Sequence, residues 1–278
     1  MIDRRTFLGV APAALLAAGA CGRASASARR ELAGWGIQLY TLRSAIAGDV
    51  GRTLAAVAQI GYREVELAGL YGLTPAQMRA KLGAVGLAAT SSHQSVADVR
   101  GEWPRVLDGA RELGQRLVVV PSIPAEERTA EGLRRLADDF NRAGEASRAA
   151  GLRFGYHNHD WEHRALADGT VPIDLLLERT DPALVDWQMD IFWTVHGGAD
   201  PARYLREAAG RVTSVHVKDR TRDGRMADVG AGVIDFATLI PQAEGLGLLH
   251  AFVEHDQPGD DPVASARRSF EHLRRVLP

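Results

Sequence analysis

The chain has 278 residues, of which 46% are hydrophobic and 24% are charged, a composition typical of globular proteins. Its formal net charge of −2 provides no basic surplus, so the charge does not point to a nucleic acid or an anionic membrane surface as a partner. The single cysteine, Cys21, excludes an internal disulfide framework, and the length suits one large α/β domain or two small ones.

Residues 1–28 carry the pattern of an export signal. Arg4 and Arg5 stand ahead of the apolar, alanine-rich run 9–20. Twin arginines before a short apolar run resemble a Tat-type signal peptide. The run is shorter than the ~20 residues that a membrane-spanning helix needs, so we expect no membrane span.

Two outcomes of signal processing are open. Residues 24–26 read Ala-Ser-Ala, an Ala-x-Ala cleavage site that would release a periplasmic protein. Cys21, which follows an Ala-Gly-Ala segment, would instead carry the lipid of a membrane-anchored lipoprotein. Both outcomes place the mature protein outside the cytoplasm.

From residue 32 onward one unit recurs: a helical stretch, a glycine, and a short apolar strand that ends in polar residues. Glycine just past a helix suits the left-handed conformation of the last turn. The glycines in this position are Gly61, Gly86, Gly114, Gly151, Gly210 and Gly247. The predicted strands are 36–40, 64–67, 88–93, 117–121, 153–159, 185–190, 213–218 and 251–254.

Eight nearly continuous apolar strands that alternate with helices predict a parallel sheet buried on both faces. Eight such units in roughly 250 residues match a closed barrel. A doubly wound open sheet is the alternative, but a dinucleotide-binding version needs Gly-x-Gly-x-x-Gly after a strand, and Gly230-Ala-Gly232 is too short a match. We therefore predict a single-domain (β/α)8 TIM barrel over residues 32–278.

Polar side chains collect where the predicted strands end, which is where parallel barrels place their active sites. These residues are Glu66, His93, His157, His159, Asp190, His216, Lys218 and Glu254. A lone buried charge costs several kcal/mol, so a metal ion is an economical partner for such a set. Asp190, His216 and Glu254 end three consecutive strands. Oxygen and nitrogen ligands without thiolate favour Mn²⁺, Mg²⁺ or Co²⁺, with Zn²⁺ as an alternative.

Six motifs together resemble the sugar phosphate isomerase/epimerase-like TIM-barrel superfamily. They are Gly36-Ile-Gln-Leu-Tyr-Thr, Gly61-Tyr-x-x-Val-Glu66, Tyr156-His-Asn-His-Asp-x-Glu162, Met189-Asp190, His216-Val-Lys-Asp219 and Val253-Glu254. The superfamily includes xylose-isomerase-like barrels, ketose 3-epimerases, inosose dehydratase and endonuclease IV. The resemblance extends over residues 32–277 and is closest to an exported branch that carries the Tyr-His-Asn-His motif.

The resemblance implies one divalent ion, held by a carboxylate of strand five, an Asp of strand six, a His of strand seven and a Glu of strand eight. The last three correspond to Asp190, His216 and Glu254. Strand five offers no such carboxylate, because this chain has Gly155, Tyr156 and His157 where the epimerases have a Glu. We therefore expect Glu162 to reach back from the loop as the fourth ligand, with His157 or His159 as alternatives.

The resemblance also implies proton abstraction from the carbon next to a sugar carbonyl, through an enediolate. His159 or Glu254 would take the proton, and Lys218 or His93 would orient oxygens or return it. The expected substrate contacts are Glu66, His157, Trp193 and Arg222. Two of these residues have a purely structural role as the alternative: Glu66 would be an ion-pair partner of Arg43, and Trp193 would be a core residue.

Three functions compete. The first is a metal-dependent isomerase or epimerase of a keto-sugar. The second is a metal-dependent lyase or hydrolase that cleaves 3-keto-glycosides by β-elimination. The third is a periplasmic sugar-binding module without catalysis. DNA repair of the endonuclease IV type agrees least with the residues, since it needs a multi-metal cluster and a basic surface. The oligomeric state stays open.

Overall fold

The computed structural model describes residues 34–277. The export signal expected in residues 1–28, with its Cys21, lies outside the described residues, so that expectation stays a prediction. Among the helices within 34–277, none combines the length and the apolar character needed to cross a bilayer.

Eight parallel strands close into a barrel. In chain order they are β1 (Gly36–Gln38), β2 (Glu64–Leu67), β3 (Ala88–His93), β4 (Leu117–Val120), β5 (Arg153–His157), β6 (Val185–Asp190), β7 (Val212–Val217) and β8 (His250–Val253). Each strand pairs with its neighbours in the chain, and β1 pairs with β8 through Gly36 and Phe252. This closure confirms the predicted single-domain (β/α)8 TIM barrel.

Helices surround the barrel. They are α1 (Arg43–Gly48), α2 (Val50–Ile60), α3 (Pro75–Ala84), α4 (Val96–Gly101), α5 (Trp103–Leu113), α6 (Ala130–Ala149), α7 (Pro172–Arg179), α8 (Ile191–His196), α9 (Pro201–Glu207), α10 (Phe236–Gly245) and α11 (Pro262–Val276). Short 3-10 turns lie at Leu39–Leu42, Ala125–Glu127 and Trp161–His163. After β7, Asp219–Arg220 and Met226–Ala227 pair as an antiparallel hairpin.

Local sequence signals set the ends of the helices. Thr74 caps α3 through its hydroxyl, with Pro75 in the first helical position, and Thr129 caps α6. Gly114 ends α5 with a φ of 80°, a conformation that only glycine adopts at little cost. The repeating unit read from the sequence is therefore formed as predicted.

Predicted strand boundaries hold to within about two residues. Two predicted strands are two residues too long: 36–40 ends at Gln38, and 153–159 ends at His157. The next residue, Asn158, turns its side-chain oxygen to accept a hydrogen bond from the Asp190 backbone at 3.0 Å. His159 therefore lies in the loop that follows the strand.

The outer face of β5 packs against α6. The rings of Phe154 and Tyr156 lie 5.3 and 5.5 Å from that of Phe140, measured between centroids. Side chains alternate along a strand, so Gly155 and His157 face the barrel interior. This orientation decides which residues of strand five can reach the site.

His163 is a packing residue in the same region. Its ring lies 5.4 Å from Tyr204 and 6.3 Å from Trp187, between centroids, and its Nε2 is 3.1 Å from the amide nitrogen of Asn158. Burial lowers the pKa of His163 to about 4, although nearby Asp160 acts in the opposite direction. The folded protein therefore keeps this imidazole neutral.

We expect the stability of the protein to fall between pH 6.5 and pH 4. The pKa of His163 is about 4 in the folded protein against an ordinary 6.5, so in this window the unfolded chain binds a proton that the folded chain does not. In His163→Gln the fall should be smaller, as measured by urea unfolding at several pH values. The slope between pH 7 and 8, where neither form of His163 titrates, is the internal control. An unchanged slope below pH 6.5 in the variant contradicts the prediction.

Candidate active site

Charged and polar side chains from six strand ends meet at the C-terminal mouth of the barrel. Parallel strands all present this end to the same side, and inward-facing residues point to the barrel axis. The side chains are Glu66 (β2), His93 (β3), His157 (β5), Asp190 (β6), His216 (β7), Lys218 (just after β7) and Glu254 (just after β8). His93 is half-buried and the others are buried.

His216 lies between two glutamates at the centre of this group. Its Nδ1 is 2.6 Å from Oε2 of Glu254, and its Nε2 is 2.6 Å from Oε1 of Glu66. An imidazole between two carboxylates donates from both nitrogens, which requires the protonated ring. Burial alone would lower the pKa of His216, but Glu254 and Glu66 outweigh it and raise the pKa to about 10. In the absence of an ion, His216 is therefore a buried imidazolium.

Glu66 has no free oxygen to offer. Besides His216 it accepts hydrogen bonds from Gln38 Nε2 (2.8 Å), Ser91 Oγ (2.6 Å) and Gln188 Nε2 (2.7 Å), and His93 Nε2 lies 2.9 Å away. Burial would raise the pKa of Glu66, but the two histidines hold it well below its usual range. Glu66 thus positions His216 and His93 inside the barrel.

Arg43, the alternative partner that the sequence offered for Glu66, lies elsewhere. It is exposed at the rim of the barrel, where it donates to the backbone oxygens of Tyr40 (2.9 Å) and Asp256 (2.7 Å). The network around Glu66 is made instead by residues inside the barrel.

Lys218 contacts three carboxylates. Its Nζ lies 2.7 Å from Oε2 of Glu254, 2.9 Å from Oδ2 of Asp190 and 3.0 Å from Oδ1 of Asp256. Burial would lower the pKa of Lys218, but the three acids raise it above its ordinary value. The same ammonium group and His216 hold the pKa of Glu254 below its usual range, against the effect of burial.

Asp190 is the least satisfied acid of the group. Its Oδ1 accepts a hydrogen bond from the backbone nitrogen of Trp193 at 2.9 Å. Its Oδ2 is buried and, within the described chain, has no hydrogen bond of acceptable geometry, although Lys218 Nζ is close. Burial raises the pKa of Asp190 to about 6. This oxygen is available to a cation.

The donor set fits a divalent metal ion. Asp190, His216 and Glu254 each offer one ligand atom, and these atoms lie within 4.8 Å of one another. Four carboxylates surround the two cations Lys218 and His216, which leaves an excess of negative charge; these acids are Glu66, Asp190, Glu254 and Asp256. Oxygen and nitrogen donors are those that Mn²⁺, Mg²⁺, Co²⁺ and Zn²⁺ accept.

On strand five, the residue that reaches this group is His157. Its Nε2 lies 3.7 Å from Oδ2 of Asp190, and its Nδ1 is 3.1 Å from the side-chain oxygen of Gln188. His157 also forms a second possible ligand group with His93 and His216. Burial, followed by the neighbouring cationic groups, keeps the pKa of His157 well below its usual range, so this ring is neutral.

The structure does not bring Glu162 to the predicted metal ligands. The 3-10 turn Trp161–His163 folds its carboxylate back, where it accepts hydrogen bonds from the Tyr156 hydroxyl and from the backbone nitrogen of His159 (2.9 Å). Tyr156 is on the outer face of β5, so Glu162 is held on that side of the strand. Burial raises the pKa of Glu162 to about 7.

His159 overhangs the site from the loop after β5. Its ring centroid is 5.1 Å from that of His157 and 5.6 Å from that of Trp193. Burial, followed by the charge of Lys218, lowers the pKa of His159 to about 4. The ring is therefore neutral at pH 7 and can accept a proton.

Six of these groups, His93, His157, His159, Lys218, Glu254 and Asp256, line a pocket of about 350 Å³. Its walls are formed by Tyr40, Ala68, His93, Pro121, Ser122, His157, His159, Lys218, Glu254 and Asp256. The volume lies within the range of small-molecule sites. A cleft of about 400 Å³ between α3 and α5 contains none of the residues of the acid and histidine cluster.

Two predicted substrate contacts do not line this pocket. Arg222 is exposed in the turn of the hairpin that follows β7. Trp193 is half-buried behind Lys218, whose Nζ is 5.7 Å from its ring centroid, and it packs on Phe192. Neither residue is among those that line the pocket.

The sequence analysis missed several polar residues of the site. Gln38, Ser91 and Gln188 hydrogen bond to Glu66, and Asp256 contacts Lys218. A signal existed for three of them: Ser91, Gln188 and Asp256 each lie two residues from a predicted site residue, on the same face of an extended segment.

Comparisons with known proteins agree with this architecture. Residues 54–276 match the family model of the xylose isomerase-like TIM barrel. Inosose dehydratase from Geobacillus kaustophilus (strain HTA426) is 25% identical over an alignment that covers 81% of this chain and 87% of that protein.

Solved structures agree as well. A sugar phosphate isomerase/epimerase from Parabacteroides distasonis ATCC 8503 superposes with a TM-score of 0.77 at 27% identity, covering 91% of this chain and 96% of that chain. The 3-keto-D-glucoside 4-epimerase from E. coli, in its apo form, shares the fold with a TM-score of 0.63 at 18% identity, covering 82% and 94% of the two chains. The family match, which extends over most of the barrel, shows that this chain belongs to the xylose isomerase-like TIM barrel family.

Proposed function

We propose that the protein is a divalent-metal-dependent enzyme that removes a proton from the carbon next to the carbonyl of a keto-sugar, and thereby isomerises or epimerises it. The observation that carries this proposal is the convergence of Asp190, His216 and Glu254, of which Glu254 lines the same pocket as the neutral histidine His159. The similarity to inosose dehydratase and to a sugar phosphate isomerase/epimerase supports a sugar-modifying enzyme.

The residues that would hold the ion are Asp190, His216 and Glu254, with His157 in place of Glu162 as the fourth ligand. His216 would release the Nδ1 proton that it shares with Glu254, because a histidine ligand must be neutral. Lys218 would then turn from Asp190 towards Asp256, which it already contacts at 3.0 Å. When bound, the ion supplies stabilisation of the negative charge that develops on the substrate oxygens. Mn²⁺, Mg²⁺ and Co²⁺ suit the donor set best, and Zn²⁺ is the alternative.

His159 is the better of the two proposed bases. Burial keeps its ring neutral at pH 7, so a nitrogen lone pair is ready to take the α-proton. Glu254 is less available, because its Oε2 already contacts both His216 and Lys218. Lys218 would donate hydrogen bonds to the substrate oxygens as they become negative. His93, which lines the same pocket, would orient an oxygen or return the proton.

Elimination is the second candidate reaction, and the observation that favours it is the lack of a carboxylate on strand five. In the two-glutamate epimerases of the superfamily a glutamate of strand five moves a proton, whereas the inward-facing residues at the C-terminal end of β5 here are Gly155 and His157. With His159 as base, the C–H electron pair would become a C=C bond while the bond from the β-carbon to its oxygen substituent breaks. The leaving oxygen keeps that bond's electron pair and takes a proton, so no oxidant is needed. A 3-keto-glycoside has such a substituent.

We also propose that the protein acts outside the cytoplasm, on free keto-sugars or oxidised glycosides rather than on sugar phosphates. The basis is the twin arginines, Arg4 and Arg5, ahead of the apolar run 9–20. The mass of the mature protein recovered from the periplasm and from membranes distinguishes cleavage after residue 26 from lipid attachment at Cys21. An uncleaved cytoplasmic chain contradicts export.

The metal proposal predicts about one divalent ion per chain in the purified protein, measured by elemental analysis. Asp190→Asn should remove most of this metal, because it deletes the charge of a ligand without changing its shape. His157→Ala should weaken binding by tenfold or more, whereas Glu162→Gln should retain the wild-type metal content. A wild type that binds no ion and gains no thermal stability from added Mn²⁺, Mg²⁺, Co²⁺ or Zn²⁺ contradicts the proposal. Metal loss in Glu162→Gln alone would restore Glu162 as the ligand.

The reaction proposal predicts that the metal-loaded enzyme, in D₂O with a panel of keto-sugars and 3-keto-glycosides, incorporates deuterium next to the carbonyl. His159→Gln should slow this exchange by about a hundredfold or more, because the proton acceptor is removed. Arg222→Ala, in the exposed turn, is the matched control and should exchange like the wild type. A product of unchanged mass, apart from deuterium, indicates isomerisation or epimerisation, and a released fragment indicates elimination. If no member of the panel exchanges, the reaction proposal is wrong, and a sugar-binding module without catalysis becomes the favoured function.

A further inference from the structure

The rim of the pocket carries an aromatic ring, that of Tyr40, to which the proposed reaction assigns no role. Within residues 34–277, Tyr40 and Val233 are the two large hydrophobic side chains that remain exposed, at 44% and 54%. Of this pair, Tyr40 lines the active-site pocket, whereas Val233 does not. A singly exposed hydrophobic residue is common on protein surfaces, so the position of Tyr40 needs further support.

That support comes from the way the ring is held. The guanidinium group of Arg43 lies 4.3 Å from the centroid of the Tyr40 ring. Arg43 is itself held by the backbone oxygens of Tyr40 and of Asp256, at 2.9 and 2.7 Å. The backbone nitrogen of Tyr40 donates to the side chain of Gln38 at 3.1 Å, and Gln38 also donates to Glu66. The ring is thus a fixed platform, tied to the same network as the buried acids.

The pocket has two chemically different parts. Its floor consists of charged and imidazole groups, which suit the hydroxyl and carbonyl oxygens of the reacting sugar. Apart from Tyr40, the lining residues without a charge are small: Ala68, Pro121 and Ser122. Apart from the guanidinium group of Arg43, which packs on the Tyr40 ring, these rim residues carry no charge, and they leave a largely apolar surface for a second ring.

We propose that Tyr40 forms a subsite for a second ring, joined to the reacting keto-sugar through the glycosidic oxygen, so that the substrate is a keto-glycoside rather than a free monosaccharide. The ring would stack on Tyr40, either through the apolar C–H face of another sugar or through an aryl group. This inference rests on the proposed function, because it takes the pocket floor as the place of the reacting sugar.

Binding measurements on the full-length protein test the subsite without any turnover. Isothermal titration calorimetry would compare three unreactive ligands: glucose, cellobiose and phenyl β-glucoside. The wild type should bind at least one of the two-ring ligands about tenfold more tightly than glucose. Tyr40→Ala should lose this preference and keep its affinity for glucose, whereas Tyr40→Phe should retain it. Val233→Ala, which changes the other exposed hydrophobic residue, is the matched control.

The two-ring ligands separate the possible occupants. A preference for cellobiose assigns the subsite to a sugar ring, and a preference for phenyl glucoside assigns it to an aryl group. Equal affinities of the wild type and Tyr40→Ala for all three ligands, or no binding of any, overturn the proposal. The reaction proposal fails separately, if no deuterium is exchanged, so the two failures are distinguishable.

Discussion

The site depends on a buried imidazolium, that of His216, placed between Glu66 and Glu254. Without that positive charge the two carboxylates would face each other in a low-dielectric interior, which costs several kcal/mol per uncompensated ion. The three residues belong to β7, β2 and the end of β8, strands that only the closed barrel brings together. Barrel closure and the charge balance of the site therefore depend on each other.

The remaining charges follow from that centre. Glu66 is fully used by hydrogen bonds, so it is a support for the site rather than a ligand for the substrate. Glu254 shares its charge between His216 and Lys218, and Asp190 keeps one oxygen without a hydrogen bond of its own. Four carboxylates surround Lys218 and His216, so negative charge stays in excess, and this excess suits a divalent ion that takes the place of a proton on His216. The neutral His159 and the aromatic rim then lie above a strongly polar floor.

The motif that follows strand five did not determine which of its residues faces the metal ligands. The spacing of Tyr156-His-Asn-His-Asp-x-Glu162 allowed His157, His159 or Glu162 to face the metal ligands. Which of the three faces the metal ligands depends on Tyr156. Its ring packs outward against α6, and its hydroxyl donates a hydrogen bond to the carboxylate of Glu162 on that side of the strand. His157, on the inward face, is left as the residue beside Asp190. The motif located the site, but it could not identify which of its members points inward at the right depth.

The barrel itself was predictable, because its signals are local: apolar strands, glycines in the last helical turn, and caps such as Thr74 and Thr129 each act within a few residues. The strand-end rule likewise predicted that Asp190, His216 and Glu254 would meet. The partners of Glu66, the turning away of Glu162 and the rim position of Tyr40 were not predictable in this way. They depend on the register between strands far apart in the chain, and on which inward side chains that register sets face to face. Such pairings are decided only when the barrel closes.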